Sequence, residues 1–311
     1  MPADLPLLPV LTIGGYLGAG KTTLVNNLLR HANGRRLAVL VNEFGDLAID
    51  EDLIEAEEDN LISIAGGCIC CSFGNDLMGA LKDMTEMEPR PDHVIIESSG
   101  VAIPGAIVAT MSLMPGLQSD GVIVVVDAET VRSQAADKYI GDTILRQLAD
   151  AEGIVINKSD LVDEGAALSA WLDQVAEGAF QVPTQFGKVA PEAILGVIDA
   201  GQSGRDGGHS DALFESLVLQ RAAVDDVEAL ARSLATGCYG VVRAKGYVHG
   251  PNGALWLVQT VGQRWEARLA DGGHEAGVVC IGLRGQLAVE ALAGVWAIGS
   301  NSSKSKVLPR P

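Results

Sequence analysis

The stretch GYLGAGKT, residues 15–22, constrains the fold of this chain more than any other feature. It directly follows the apolar run LLPVLTI at 7–13 and leads into the helix-like stretch KTTLVNNLLR at 21–30. Glycines at this spacing let successive backbone N–H groups turn toward one anion, and a helix N-terminus adds positive potential. In this strand–turn–helix context the pattern predicts a phosphate-binding loop.

The chemistry of such a loop assigns a role to each of its residues. We expect Lys21 to reach the β- and γ-phosphates of a nucleotide and the Thr22 hydroxyl to bind Mg²⁺. Thr23 is expected to add a contact to the α-phosphate. The predicted nucleotide-binding residues of the loop are Gly15, Gly18, Ala19, Gly20, Lys21, Thr22 and Thr23.

Short apolar runs alternate with helix-like stretches through residues 1–200. The predicted strands are 7–13, 36–41, 61–64, 93–98, 121–127 and 153–157. The predicted helices between them are KTTLVNNLLR, NDLMGALKDM, DTILRQLADA and AALSAWLDQVA. Because the strands are rich in Val and Ile and apolar throughout, as in strands buried on both faces, we predict an α/β fold with a doubly wound, mostly parallel sheet.

The sequence pattern changes after a Gly/Ser/Asp-rich stretch at 199–210, which we interpret as a linker. The helix-like VDDVEALARSLA is followed by the predicted strands VVRAKGYVH, ALWLVQTV, RWEARLA and GVVCIGL and by a short helix. We therefore predict a smaller C-terminal α+β domain over 211–300 and a disordered tail over 301–311.

The stretch INKSD, residues 156–160, ends a predicted strand and predicts guanine recognition. An aspartate accepts two hydrogen bonds from the N1–H and the exocyclic amine of guanine, and adenine does not offer this pair of donors. Asp160 is the expected reader of the base, with Asn157 and Lys158 bracing it. GTP is therefore favoured over ATP.

Two further strand ends carry acidic residues. ESSG, residues 97–100, follows the run HVII, so we assign Glu97 to Mg²⁺ and the backbone N–H of Gly100 to the γ-phosphate, as a switch. Lys21, Thr22, Glu97 and Gly100 form the predicted catalytic set. VVVDA at 124–128 ends another strand, and a purely structural role for Asp127 stays open.

Three of the five cysteines lie in GGCICCS, residues 66–72. On its own the stretch is compatible with a metal site, a redox pair or a tight buried turn. The N-terminus lacks the basic region of a signal peptide and the apolar runs are too short to cross a bilayer, so we expect a cytoplasmic protein with reduced thiols and no membrane partner. Cys238 and Cys280 stand alone in apolar surroundings and are predicted to be core residues.

The net charge of -18 disfavours binding to a phosphate backbone, so nucleic acid is not an expected partner. Most of these charges are interpreted as solvated surface.

Taken in order along the chain, these motifs resemble one family, the CobW-like metal-associated GTPases, relatives of the nickel-insertion GTPases. The stretches that carry the resemblance are GGYLGAGKTTLVNNLL, VNEFGDLAID, GGCICCS, IIESSGVAIPG, VVVDA, INKSDLV and RAKGYV. The resemblance implies a GTPase domain and a CobW-type C-terminal domain. It also implies a metal site at Cys68, Cys70 and Cys71 and delivery of zinc, or in some members cobalt, to client proteins.

Within the resemblance, the NEFG stretch at 42–45 matches the first switch of the family and makes Glu43 and Asp46 further candidates for metal contact. The sequence departs from the family pattern at Val41, where many members have an acid. It also lacks the His-rich tract of many members, with only His209 near the linker, which argues against metal storage.

The sequence thus predicts a GTP-hydrolysing metallochaperone for a client metalloprotein. Three thiolates suit Zn²⁺ best and Co²⁺ next, and they leave a fourth position through which the metal can be passed on. No catalytic arginine or glutamine is evident, so we expect slow hydrolysis that a client or a homodimer partner completes. The alternative is a cobalt-handling GTPase linked to cobalamin or cobalt-enzyme assembly.

Two other classes of protein share parts of this pattern. A thiol redox protein would need a thioredoxin-like Cys-x-x-Cys that begins a helix, whereas successive cysteines here are separated by one residue or by none. A kinase would share the phosphate loop, and INKSD argues against it.

Overall fold

The computed structural model describes residues 6–32, 34–41, 61–65, 75–195, 214–219, 223–270 and 276–297. The chain divides into two compact units, Met1–Leu195 and Gly196–Pro311. The predicted linker at 199–210 and tail at 301–311 lie outside the described residues, so those boundaries stay predictions.

The first unit is built on a seven-stranded sheet. Its strands are β1 Leu8–Gly14, β2 Leu37–Val41, β3 Leu61–Ala65, β4 His93–Glu97, β5 Leu117–Asp127, β6 Gly153–Asn157 and β7 Phe180–Pro183. They lie in the order β3-β2-β4-β1-β5-β6-β7, and each pair of neighbours is parallel. The predicted doubly wound parallel sheet is confirmed.

Helices alternate with these strands along the chain. They are α1 Lys21–Arg30, α2 Asn75–Glu86, α3 Pro104–Met111, α4 Val131–Ala135, α5 Gly141–Ala149, α6 Gly165–Val175 and α7 Pro191–Leu195. One apolar cluster joins α2 and α3 to β1, β2 and β4, and another joins α5 and α6 to β5 and β6. Every residue of β2, β4 and β6 is buried, as the continuous apolar runs predict.

The second unit contains a five-stranded antiparallel sheet. Its strands are β8 Phe214–Leu219, β9 Val241–His249, β10 Leu255–Val261, β11 Arg264–Leu269 and β12 Gly277–Leu283, and its helices are α8 Val227–Thr236 and α9 Val289–Ala297. The strand order is β11-β10-β9-β12-β8. The Asp226 side chain caps α8 by accepting a 2.8 Å hydrogen bond from the Ala229 N–H. The antiparallel sheet together with α8 and α9 confirms the predicted α+β class of this second unit.

The two isolated cysteines of the second unit differ. Cys280 is fully buried in the core, and this burial raises the pKa of its thiol to about 12, so the thiol stays protonated and unreactive. Cys238 follows α8 and is exposed, so its predicted place in the core is wrong. Among the described residues, no helix is long and apolar enough to span a bilayer.

A buried contact between a histidine and an aspartate lies at the amino end of the first sheet. His93 opens β4, and its Nε2 lies 2.8 Å from Oδ2 of Asp120 on β5, with the two side chains 1% and 0% exposed. Strand β1 lies between β4 and β5, so the pair spans three strands.

Asp120→Ala is expected to lower the free energy of unfolding by about 3–5 kcal/mol, because it leaves His93 buried without its carboxylate. Urea denaturation followed by circular dichroism measures the change. Asp142→Ala removes an exposed pair with Arg146 and serves as the control, with an expected loss of at most about 0.5 kcal/mol. A similar small loss for both variants would contradict a stabilising role for the buried pair.

Candidate nucleotide site

The carboxyl ends of four neighbouring strands bring the predicted site residues to one edge of the first sheet. Strand β1 runs into the phosphate loop, and β4, β5 and β6 end at Glu97, Asp127 and Asn157. The register pairs Ile13 with Glu97 and Asp127 with Asn157. In open α/β sheets this edge is where ligands bind.

The phosphate loop has a backbone conformation that depends on its glycines. Gly15, Gly18 and Gly20 have φ angles of 131°, 76° and 101°, in the left-handed region that other residues rarely adopt. A Cβ on Gly15 would lie 2.2 Å from the Val125 carbonyl oxygen, so the loop also needs glycine for space. Among the described residues no side chain caps α1, which leaves its N-terminus suited to an anion.

Lys21 and Thr22 open α1 at the centre of the site. The Lys21 ammonium donates a 3.3 Å hydrogen bond to the Tyr16 carbonyl oxygen, so the side chain folds back along the loop. The Thr22 hydroxyl donates a 2.7 Å hydrogen bond to Oε1 of Glu97, which is 2% exposed. A hydroxyl and a carboxylate are the hard oxygen donors that Mg²⁺ prefers, so this pair fits the predicted magnesium site. Thr23 is exposed on the same turn.

The loop after β4 lies directly against the phosphate loop. A Cβ on Gly100 would lie 2.7 Å from Cγ and 2.8 Å from the backbone nitrogen of Leu17, so only glycine fits there. This contact places the predicted switch residue Gly100 beside the predicted phosphate site.

Gln147 of α5 and Asp150, the residue that follows α5, make three hydrogen bonds to the backbone of the loop after β4, the switch loop, and of the first turn of α3. Gln147, 1% exposed, donates from Nε2 to the carbonyl oxygens of Gly100 at 3.1 Å and Ala102 at 2.8 Å. Asp150 accepts a 2.7 Å hydrogen bond from the Gly105 N–H. Sequence reasoning missed Gln147, although a glutamine between the apolar positions Ile144 and Leu148 of α5 was a usable signal.

Asn157 braces the site from beneath. Its Nδ2 donates a 2.9 Å hydrogen bond to the Ala19 carbonyl oxygen, and its Oδ1 accepts a 3.0 Å hydrogen bond from the Gly187 N–H. It therefore ties the phosphate loop to the loop after β7. A Cβ on Gly20 would lie 2.2 Å from the Asn157 amide nitrogen.

Lys158 and Asp160, the other two residues of the predicted guanine motif, differ in their surroundings. The Lys158 ammonium lies 2.5 Å from Oδ2 of Asp127, which gives the strand-end Asp127 an ion-pair partner. Asp160 lies in the short 3-10 turn Ser159–Leu161 with an exposed side chain. This carboxylate is accessible to a base at the edge of the sheet, and its role in reading guanine stays a prediction.

The predicted metal ligands Cys68, Cys70 and Cys71 and the further candidates Glu43 and Asp46 lie outside the described residues. Within the part of the chain that the structure describes, no group of three or more His, Cys, Asp or Glu residues is arranged to hold a metal ion. The metal site stays a prediction.

Comparison with known proteins adds a family match. The family model described as CobW/HypB/UreG, nucleotide-binding domain, matches residues 9–183, from β1 to the end of β7. This span contains the phosphate loop, the Thr22–Glu97 pair and the guanine motif.

Similar proteins include a zinc chaperone CobW of Sinorhizobium sp, 32% identical over 308 residues that cover 83% of this chain and 86% of that protein. The zinc-regulated GTPase metalloprotein activator 1 of Schizosaccharomyces pombe is 33% identical over 51% of this chain and 41% of its own length. The crystal structure of the Zn(II)-bound YjiA GTPase from E. coli aligns with a TM-score of 0.44 at 23% identity over 96% of this chain and 100% of that chain.

Gln147→Leu is expected to slow GTP hydrolysis by about 10- to 100-fold while the affinity for GDP changes by less than about twofold. The variant removes the hydrogen bonds to the Gly100 and Ala102 carbonyl oxygens and changes no residue of the phosphate loop. Single-turnover hydrolysis and GDP titration measure the two effects. Gln134→Leu, in the same cavity lining beneath the phosphate loop, is the control. An equal loss in GDP affinity would show that Gln147 supports the whole fold and not the switch loop.

Proposed function

The chain belongs to the CobW/HypB/UreG family and is a GTPase, and we propose that it is a metallochaperone that uses GTP to deliver zinc to a client metalloprotein. The observation that carries the proposal is the clustering of the phosphate loop, the Thr22–Glu97 pair and Asp160 at one sheet edge. Zinc as the cargo rests on the printed names of the relatives and on the thiolate-rich GGCICCS stretch.

The nucleotide chemistry follows from the residues at that edge. Backbone N–H groups of the phosphate loop and the Lys21 ammonium bind the phosphates, and Asp160 reads the guanine. Thr22 and Glu97 hold Mg²⁺, which neutralises phosphate charge when bound. The Gly100 N–H binds the γ-phosphate and senses its loss, so the switch loop held by Gln147 differs between the GTP and GDP states.

Hydrolysis by the chain alone is slow in this proposal. Gln147, a glutamine near the site, uses its amide to hold the Gly100 and Ala102 carbonyls and so is not placed to orient water. The group that completes catalysis then comes from the client protein or from a second copy of the chain. The protein works in the cytoplasm, where its thiols stay reduced.

The zinc ligands in this proposal are Cys68, Cys70 and Cys71. Strand β3 ends at Ala65, three residues before Cys68, at the same edge of the sheet as the phosphate loop. Three strand spacings, about 14 Å, separate β3 from β1. This distance favours coupling through the switch segments over direct contact between metal and phosphate.

Cys70→Ser combined with Cys71→Ser is expected to lower zinc affinity by about 100-fold or more, because hydroxyls are poor ligands for zinc. Competitive zinc titration with GDP and with a non-hydrolysable GTP analogue measures affinity and its nucleotide dependence. Cys238→Ser, at an exposed lone cysteine, is the control. Unchanged zinc affinity in the double variant would overturn the assigned metal site. A parallel cobalt titration in which the nucleotide changes the affinity for cobalt, while the affinity for zinc stays constant, would favour the cobalt-handling alternative.

Asp160→Asn is expected to lower the affinity for GDP by about 100-fold or more, because two hydrogen bonds to a charged carboxylate are lost. Xanthosine diphosphate should bind the variant more tightly than it binds the wild-type chain, because the C2 carbonyl oxygen of xanthine accepts a hydrogen bond from the asparagine amide. Calorimetric titration with GDP, ADP and xanthosine diphosphate measures this preference. Asp163→Asn, at a nearby exposed carboxylate, is the control, and undiminished discrimination against ADP in Asp160→Asn would remove the guanine assignment.

A further inference from the structure

We propose that the ring of Phe186 stacks on the base of the bound nucleotide and forms one wall of the base site. The proposal deepens the proposed function and rests on it. Phe186 follows β7, and its side chain is 69% exposed, whereas Phe180 and Phe214 are 9% and 7% exposed. An exposed apolar residue needs no explanation by itself, so the argument depends on its backbone and its neighbours.

The backbone of Phe186 is held in a conformation that a bulky residue avoids. Its φ angle is 54°, in the left-handed region that favours glycine. Strain of this kind persists only where surrounding contacts enforce it, and it concentrates at ligand-binding sites. A glycine here would relieve the strain, so the phenylalanine side chain is retained at an energetic cost.

Three hydrogen bonds enforce this conformation. Asn27 on α1 donates from Nδ2 to the Phe186 carbonyl oxygen at 2.6 Å. The Gly187 N–H donates to Oδ1 of Asn157 at 3.0 Å, and the Thr184 hydroxyl donates to the Lys188 carbonyl oxygen at 2.7 Å. The loop is therefore anchored on both sides of Phe186, and the ring projects from a fixed backbone.

The same loop is bonded to the turn that carries Asp160. The backbone N–H and the hydroxyl of Ser159 both donate to the Thr184 carbonyl oxygen, at 3.1 Å and 3.0 Å. Asn157 joins that turn to Gly187 from the other side. The exposed ring of Phe186 and the exposed carboxylate of Asp160 thus belong to two segments fixed to each other at the base-reading edge.

The two side chains offer complementary chemistry to a purine. A carboxylate binds the polar edge of guanine and discriminates between bases, whereas an aromatic ring contacts the π-face that every base presents. Phe186 therefore contributes affinity for the base with little preference for its identity. Asp160 supplies the preference.

Titration of the full chain with GDP, IDP and inorganic pyrophosphate in the presence of Mg²⁺ tests this assignment. Phe186→Ala and Phe186→Gly are expected to lower the affinities for GDP and for IDP by a similar factor of about 5- to 100-fold. The affinity for pyrophosphate should stay unchanged. Phe186→Trp keeps a stacking ring and should bind GDP within about threefold of wild type. Phe186→Gly is the sharpest variant, because glycine adopts the native φ without strain and preserves the loop.

Tyr139→Ala, at an aromatic residue that is 85% exposed on the segment before α5, is the matched control and should leave all three affinities unchanged. GDP affinity within twofold of wild type in both Phe186→Ala and Phe186→Gly would overturn the stacking role, as would an equal loss for pyrophosphate. A wild-type chain that binds no GDP would instead reject the proposed function, and the stacking role with it.

Discussion

The buried amide of Asn157 is the contact on which the nucleotide site depends. It is 3% exposed, and it bonds the Ala19 carbonyl oxygen of the phosphate loop and the Gly187 N–H of the loop after β7. One side chain thereby sets the distance between the segment expected to bind phosphate and the segment expected to bind the base. Gly20 is part of the same arrangement, since a Cβ there would displace this amide.

The two ends of the parallel sheet carry different kinds of polar residues. The amino ends hold the buried His93–Asp120 pair, and the carboxyl ends hold Glu97, Asp127 and Asn157. Because every neighbouring pair of strands is parallel, four loops meet at the carboxyl edge without any long excursion. A nucleotide at that edge contacts segments that are distant in sequence and close in the fold.

Local patterns were enough to predict most elements, and tertiary contacts account for what was missed. The predictions for the α1 stretch 21–30 and for the strands 241–249 and 277–283 match at both ends. The first has a helical period, and the two strands are Val-rich runs with glycine close to each end. Strand β7 was missed, since it has four residues, one of them the proline at its end. Gln147 and Phe186 were missed because their partners lie 45 residues or more away along the chain. Cys238 was misjudged because apolar neighbours in sequence do not fix which side of a turn faces the core.

The hydrogen bonds from Gln147 and Asp150 to residues 100–105 involve only main-chain atoms of that segment. Gln147 donates to the carbonyl oxygens of Gly100 and Ala102, and Asp150 accepts from the Gly105 N–H in the first turn of α3, so these three bonds involve only backbone atoms of residues 100–105. Val101 is 47% exposed, and its replacement by another residue would therefore leave these three hydrogen bonds in place. Exposed side chains of this segment can therefore differ without loss of the hydrogen bonds that hold its backbone in place.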